Sequence, residues 1–426
     1  MTVGAKSKLG VDSPLRAGTF IVMALLLALC GPFSAETHQQ ESGHPTFRAA
    51  VDVVELTVFV VDERGEPVRG LGRDAFSVSL NGGPRRVVRS EFIDVGTVSA
   101  VKAPALSTSL WPDQDEQYPP DQTGPDRTII VAIDAGSIDA GTARGVASAA
   151  TAFAESLDAR TAIGLVAYPL GPRLEPTADR RALTAALADV RGQEDQILPA
   201  GTTASDVVDW FADPRQREAI LRARCTGGAP ACAKLLDYEM AHAASVEEAR
   251  GRAAQGTLLS VLDAMRALPR PKILVLVTAG WLASDRLGGR PDVGDLGERI
   301  GRAAADADVT LYSIVIDRLV ASIYDAAERA RPLRPPALAR DREIRRSGLD
   351  VMADMSGGSV LADAIGTGTS AFDRIERETS AYYRLAVEPS DEDRTGRART
   401  ITVSIDRPGV TVRTRRRVIV ALASER

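Results

Sequence analysis

The sequence predicts an α/β fold, a mostly parallel sheet with helices on both faces, accompanied by a small all-β unit drawn from the two chain ends. Three observations lead there. Thr128 to Ile133, Ala162 to Tyr168, Lys272 to Thr278 and Val309 to Ile316 are largely apolar runs, as expected of strands buried on both faces. Helical stretches separate them, and strands that alternate with helices over short turns form parallel sheets. Near the start of the chain the period changes. Val54, Leu56, Val58 and Val60 alternate with Glu55 and Thr57, and Phe76, Val78 and Leu80 alternate again, which is the period of a half-buried strand.

The chain opens with Lys6, Lys8 and Arg16, followed by an eleven-residue apolar run from Phe20 to Cys30. A basic segment before an apolar run too short to span a bilayer reads as a signal peptide over residues 1–35. The chain is therefore expected to be exported, periplasmic or extracellular, with no other membrane segment. Residues 36–50 are polar and expected to be disordered. Residues 51–96 hold three or four short strands, with Asn81-Gly82-Gly83 as a tight hairpin signal. They are too few to bury a core alone. Residues 97–126 are rich in Pro, Ser, Asp and Gln and read as a surface linker.

The formal charge is −5. Removing the signal peptide takes away Lys6, Lys8, Arg16 and Asp12, three positive charges and one negative, and leaves −7. An acidic chain with 4% aromatic residues argues against broad nucleic-acid binding. Beyond the signal peptide two cysteines remain, in Cys225-Thr-Gly-Gly-Ala-Pro-Ala-Cys232. The turn-prone residues between them and an oxidising compartment favour a local disulfide. Zinc is disfavoured, since His242 is the one histidine in the interior of the chain.

The α/β domain is expected over residues 127–380. Its first strand ends at Asp134, and Thr142 to Leu157 reads as an Ala-rich helix. A buried strand that delivers an acidic residue to the loop before a helix is a common way to build a site at the carboxyl edge of a sheet. Asp is equally a favoured turn and cap residue. After the second strand, Thr177 to Val190 reads as a helix capped by Thr177 or Asp179. Gly201 to Ser205 forms a loop before the next helix. Asp213 to Ala249 reads as a helical insertion that holds the cysteine pair, and Ala253 to Leu268 as a further helix stopped by Pro269 and Pro271. The next central strand runs into Thr278-Ala279-Gly280. Gly294 to Ala305 is a helix, and Asp325 to Arg346, rich in Arg and Pro, reads as an exposed loop. Gly348 to Val360 is a helix, a cap at Gly357-Gly358 and a strand. Ala371 to Thr379 is the last helix. Strands at Ala381 to Val387 and Arg399 to Val412, within residues 381–422, are expected to pack with the N-terminal β unit as a sandwich made from both chain ends.

The strand ending in Asp134 resembles the start of a von Willebrand factor type A domain, a Rossmann-like fold. In that family the strand ends in Asp-x-Ser-x-Ser, the first loop of a metal-ion-dependent adhesion site. The matching positions here are Asp134, Gly136 and Ile138, with Ser137 and Asp139 one place out of register. The family's next ligand is a loop Thr, at the place of Thr202 or Thr203, where a plain helix cap is the alternative. A further Asp ligand stands in a Thr-Asp-Gly or Ser-Asp-Gly turn, where this chain has Thr278-Ala279-Gly280. Gly348 to Val360 is similar to the helix and turn before the last strand of secreted relatives, and Tyr383-Arg-Leu385 with the terminal strands is similar to the ends of a bacterial secreted group. The resemblance covers Val51 to Val420.

The resemblance implies a degenerate site of Asp134, Ser137, Asp139, Thr202 and Thr203, with no metal or with weakly bound Mg²⁺ or Ca²⁺, ions suited to hard oxygen ligands. It implies a protein-binding, adhesion-type module of the cell envelope that meets another protein through the loops at the carboxyl end of the sheet. A structural envelope scaffold without a metal or ligand site is the alternative. The sequence holds no Gly-x-Ser-x-Gly, no His-Glu-x-x-His and no phosphate-binding Gly loop, so an enzyme, a hydrolase included, is not expected.

Overall fold

The computed structural model describes residues 53–95, 126–194, 198–199, 202–225, 227–286, 288–317, 335–363 and 368–422. The expected signal peptide, the 36–50 segment and the linker as far as residue 125 lie outside the described residues. Val51–Arg426 form one compact unit.

Four strands come first: β1 (Val54–Asp62), β2 (Phe76–Leu80), β3 (Gly83–Arg85) and β4 (Val87–Asp94). β5 (Arg127–Asp134), buried along its whole length, leads into α1 (Ala140–Ser156). Then follow β6 (Thr161–Tyr168), β7 (Arg173–Thr177), α2 (Arg180–Ala188), α3 (Ala204–Ala212), α4 (Pro214–Arg224) and α5 (Pro230–Met265). β8 (Lys272–Thr278), α6 (Leu296–Asp306), β9 (Val309–Ile316), α7 (Pro335–Ser356), β10 (Ser359–Asp363) and α8 (Thr369–Thr379) complete the α/β part. The chain ends with β11 (Ala381–Val387), β12 (Ala398–Ile405), β13 (Val410–Arg413) and β14 (Arg417–Ile419).

The central sheet has six strands in the order β10-β9-β8-β5-β6-β7. All its pairs are parallel except β6 with β7. Helices cover both faces, because the apolar runs bury both sides of each strand. Ile129, Val131 and Ile133 pack under α1, α2 and α8. Ile130 and Ala132 pack under α5, α6 and α7.

The remaining strands form two four-stranded sheets, β13-β1-β11-β4 and β14-β12-β2-β3. Each mixes strands from the two chain ends: β11 lies between β1 and β4, and β12 pairs with β2. Leu56, Val58, Phe76, Leu80, Tyr383, Leu385 and Ile401 share the core between them. The run Arg413-Thr-Arg-Arg-Arg417 fastens this sandwich to the α/β part. Arg413 pairs with Glu378 at 2.9 Å, Arg415 with Asp308 at 3.2 Å and Arg417 with Asp306 at 2.8 Å, while Arg416 meets Asp354.

Three elements differ from the sequence reading. The stretch before α2 holds the edge strand β7, which takes in Thr177, and of the two expected caps it is Asp179 that begins α2. β7 reads Arg-Leu-Glu-Pro-Thr, half exposed and antiparallel; an edge position tolerates Pro176 and gives no apolar run to read. The helical insertion expected over residues 213–249 does not stand apart, because α5 runs unbroken from Pro230 to Met265 and carries its second half onto the sheet. The exposed loop expected as far as Arg346 is helical from Pro335 onward. Prolines there mark the first turn, where their missing N–H has no intrahelical partner to lose.

Candidate functional site

The strand order reverses between β5 and β8. In doubly wound sheets, ligands bind in the crevice at that point, outside the carboxyl ends of the strands. Asp134 ends β5 there and is buried. Side chains alternate along a strand, so Asp134 shares the face of Ile130 and Ala132, the one that α5 covers. Tyr168, its register partner on β6, packs on the same face. Thr278 ends β8 in step with Leu274 and Leu276, again on that face.

Hydrogen bonds stitch the two strand ends together. Thr278 Oγ1 donates to Asp134 Oδ2 at 2.9 Å and accepts from Gly280 N at 3.0 Å. Ser137 Oγ donates to the Asp134 carbonyl at 2.8 Å and accepts from Ala279 N at 3.0 Å. Residues 191–194 lie across the β5–α1 loop, with Gln193 N donating to the Ala135 carbonyl at 2.7 Å. Gly192 allows this approach, since a Cβ there would stand 2.1 Å from the Asp139 carbonyl oxygen.

The other sequence candidates are engaged elsewhere. Asp139 caps α1, accepting from Gly141 N at 2.7 Å and from Thr142 N and Oγ1 at 2.9 and 2.6 Å. Partial burial works against its charge, but the bonds from Thr142 and Gly141 outweigh it and hold the carboxyl below its usual range. Thr202 Oγ1 donates to the Pro199 carbonyl at 2.5 Å. Thr203 caps α3 in a reciprocal box with Asp206. Among the described residues no hydrogen bond joins Thr202 or Thr203 to Asp134, Ser137 or Asp139. The disulfide Cys225–Cys232 closes the turn between α4 and α5 and takes no part in the site.

A helical cap stands on this edge. α5 has 36 residues and is about 54 Å long, whereas the seven residues of β8 span about 23 Å. α5 reaches the amino edge at Met265, so its first half projects beyond the carboxyl edge. α7, with 22 residues, overhangs in the same way. The overhangs enclose α3 in a core of Val207, Val208, Trp210, Leu236, Met240 and Ile344. Both oxygens of Asp341 on α7 accept from the first N–H groups of α3, Ala204 at 3.0 Å and Ser205 at 2.8 Å.

The buried stripe of α5 runs through Leu236, Met240 and Ala243 in the cap and through Ala254, Leu258, Leu262 and Met265 on the sheet. Glu247 lies on that stripe where it crosses the sheet edge, and it is buried. Its Oε1 accepts from Arg250 Nη1 at 3.0 Å and lies 3.9 Å from Arg345 Nη2. Arg345 comes from α7 and packs on Gly280, whose φ of +80° and 2.5 Å Cβ approach to the Arg345 carbonyl favour glycine. Burial lifts the Asp134 carboxyl to about 6, against the attraction of Arg250 and the bond from Thr278, with Glu247 adding to the rise. Burial also pushes the Tyr168 hydroxyl well above its usual range, and the Asp134 charge adds to it.

These residues do not fit a divalent cation. Mg²⁺ or Ca²⁺ needs about six or more oxygen ligands. Ser137, Asp139, Thr202 and Thr203 engage their side-chain oxygens in the hydrogen bonds above, Ala279 has no side-chain oxygen, and a guanidinium already acts on Asp134. Among the described residues no three His, Cys, Asp or Glu side chains converge as a metal-binding group. Sequence reasoning missed Glu247, Arg250, Arg345 and Tyr168. The available signal was a glutamate in the middle of an apolar helical stripe.

Fold and site together define a doubly wound α/β domain whose switch-point crevice is closed by a helical cap and occupied by charged side chains. Comparison with protein-family models finds no match to this chain, and comparison with curated proteins finds none either.

Proposed function

We propose that the chain is an exported protein-binding module of the von Willebrand factor type A kind, acting at the carboxyl end of its sheet without a resident metal ion. One observation carries the reading: the switch-point crevice is built, with a buried acid and its partners drawn from β5, β8, α5 and α7, yet Ser137, Thr278 and one oxygen each of Asp134 and Glu247 are engaged within the chain. Such a site has no open coordination position to offer a partner's carboxylate. The partner, another protein of the cell envelope, therefore docks on the loops and cap at that end through direct contacts. The chain carries no catalysis in this reading. The same closure of the edge by α3, α5 and α7 favours one alternative, a structural envelope scaffold.

Capture of partners from periplasmic and membrane fractions by the tagged full chain separates the two. A binding module retains a defined partner, and chelation with EDTA leaves that retention unchanged. Retention lost with EDTA refutes the metal-free reading, and no retained partner in either fraction favours the scaffold.

A further inference from the structure

We infer that Arg250 is the built-in counter-cation of the carboxyl-edge site, and that it makes the site selective against divalent cations. The inference rests on the proposed binding reading only in treating this crevice as the functional edge.

Asp134 and Glu247 are buried, Arg250 and Arg345 keep 17% and 11% of their side chains exposed, and the charges of Arg250 and Glu247 both act on Asp134. The connection is continuous: Asp134 to Thr278 at 2.9 Å, Thr278 to Gly280 N at 3.0 Å, Gly280 against the Arg345 backbone, Arg345 to Glu247 at 3.9 Å and Glu247 to Arg250 at 3.0 Å. Asp134 faces α5 by strand alternation, and Arg250 stands one helical turn from Glu247 on α5. Two carboxylates and two guanidiniums sum to zero charge.

A buried carboxylate needs a counter-charge, because taking it out of water unpaired is costly. A divalent cation is one solution and a fixed guanidinium is another. Here the guanidinium comes from the chain. Arg250 Nη2 and Arg345 Nη1 are buried with no hydrogen-bond partner among the described residues, so the cationic side of the cluster keeps donors to spare. Arginine holds its proton under all ordinary conditions, so neither pH nor chelation removes this cation. An incoming Mg²⁺ would meet two positive charges at close range, and the oxygens left to it, Glu247 Oε2 and the Tyr168 hydroxyl among them, fall short of the about six it needs. Electrostatics and donor supply exclude it together.

The test is a Mn²⁺ titration of the full chain, read by electron paramagnetic resonance, with urea unfolding in parallel. The wild type is expected to bind no Mn²⁺ at millimolar concentration. Arg250→Gln leaves Asp134 and Glu247 with less compensation and should gain Mn²⁺ affinity by at least about tenfold, since affinity follows ligand charge. Adding Asp134→Asn should abolish that gain. If Arg250→Gln alone proves too unstable to purify, the Arg250→Gln/Asp134→Asn chain should be recovered, because it removes the charge that demanded compensation. The inference is overturned by wild-type Mn²⁺ binding that Asp134→Asn abolishes, by a folded Arg250→Gln chain that stays silent to Mn²⁺, or by equal destabilisation of the single and double variants. A chain that captures no partner but shows the expected Mn²⁺ pattern refutes the binding reading and leaves the role of Arg250 standing.

Discussion

Replacing Asp134 by asparagine should make the protein more stable at neutral pH. Asparagine keeps the shape of the side chain, and its amide oxygen can still accept from Thr278 Oγ1. It removes only the charge. Burial raises the Asp134 carboxyl from 3.8 to about 6, so the folded state binds this proton more tightly than the unfolded state does. Below about pH 4 the group is neutral in both states and contributes no difference. Above about pH 6 it is charged in both, and the folded state carries the whole penalty. A shift of about two units corresponds to about 3 kcal/mol. Stability contributed by Asp134 therefore declines as pH rises from about 4 to about 6, and stays low above that. Urea unfolding of wild type and Asp134→Asn at about pH 3, 6 and 8 measures this directly. The variant should gain up to about 3 kcal/mol at the highest pH and nothing at the lowest. A variant that is less stable at high pH, or whose difference from wild type is the same at every pH, refutes the reasoning and makes the carboxylate a net stabiliser of the fold.

Thr203→Ala removes the α3 cap and should cost about 1 kcal/mol in urea unfolding; the same loss with and without Mg²⁺ identifies a cap, and a Mg²⁺-dependent loss identifies a ligand. Glu378, fully buried, receives Tyr312 Oη at 3.1 Å, Arg374 at 2.8 Å and Arg413 at 2.9 Å. Glu378→Ala leaves the largely buried Arg413 guanidinium without its carboxylate and should cost about 3 kcal/mol by the same assay, with a loss under about 1 kcal/mol counting against the fastening role of the arginine run. Deleting residues 53–95 strips β11 of both its neighbours, so hydrogen exchange should lose protection throughout β11 and β12; unchanged protection would contradict the shared core. Non-reducing peptide mapping should recover Cys225 and Cys232 as one linked pair, and two free thiols would be the adverse result.

The central strands were legible because burial on both faces writes itself as an unbroken apolar run, as in Ile129 to Ile133. The sandwich strands were legible because Val54 to Val60 and Phe76 to Leu80 alternate. β7 was not, since an edge strand needs no apolar run, and the α5 continuity was hidden because its interior mixes small and charged residues. Asp134 was visible as an acid at a strand end. Its partners were not, because Glu247, Arg250 and Arg345 stand more than a hundred residues away and reach it only through helix overhangs. Length was the missing quantity: a helix that outruns its strand must build something beyond the sheet, and the sequence shows that only if the helix is read whole.

The pairing of the chain ends has a consequence for synthesis. Thr400 N donates to Asn81 Oδ1 across 319 residues, and Thr57 accepts from Thr414 Oγ1 across 357. At ribosomal speeds of roughly 5–20 residues per second, β1 and β2 wait on the order of half a minute before the strands that flank them exist. Throughout that interval β1 has neither of its ladder neighbours and β2 has only β3, which is the state most exposed to wrong partners. The α/β part has no such delay, since each strand of its sheet meets a neighbour within a short stretch of chain. A chain that has folded as far as α8 would therefore carry a finished central sheet and an unpaired β1, and residues 381–419 are the ones that give the first strands a place to go.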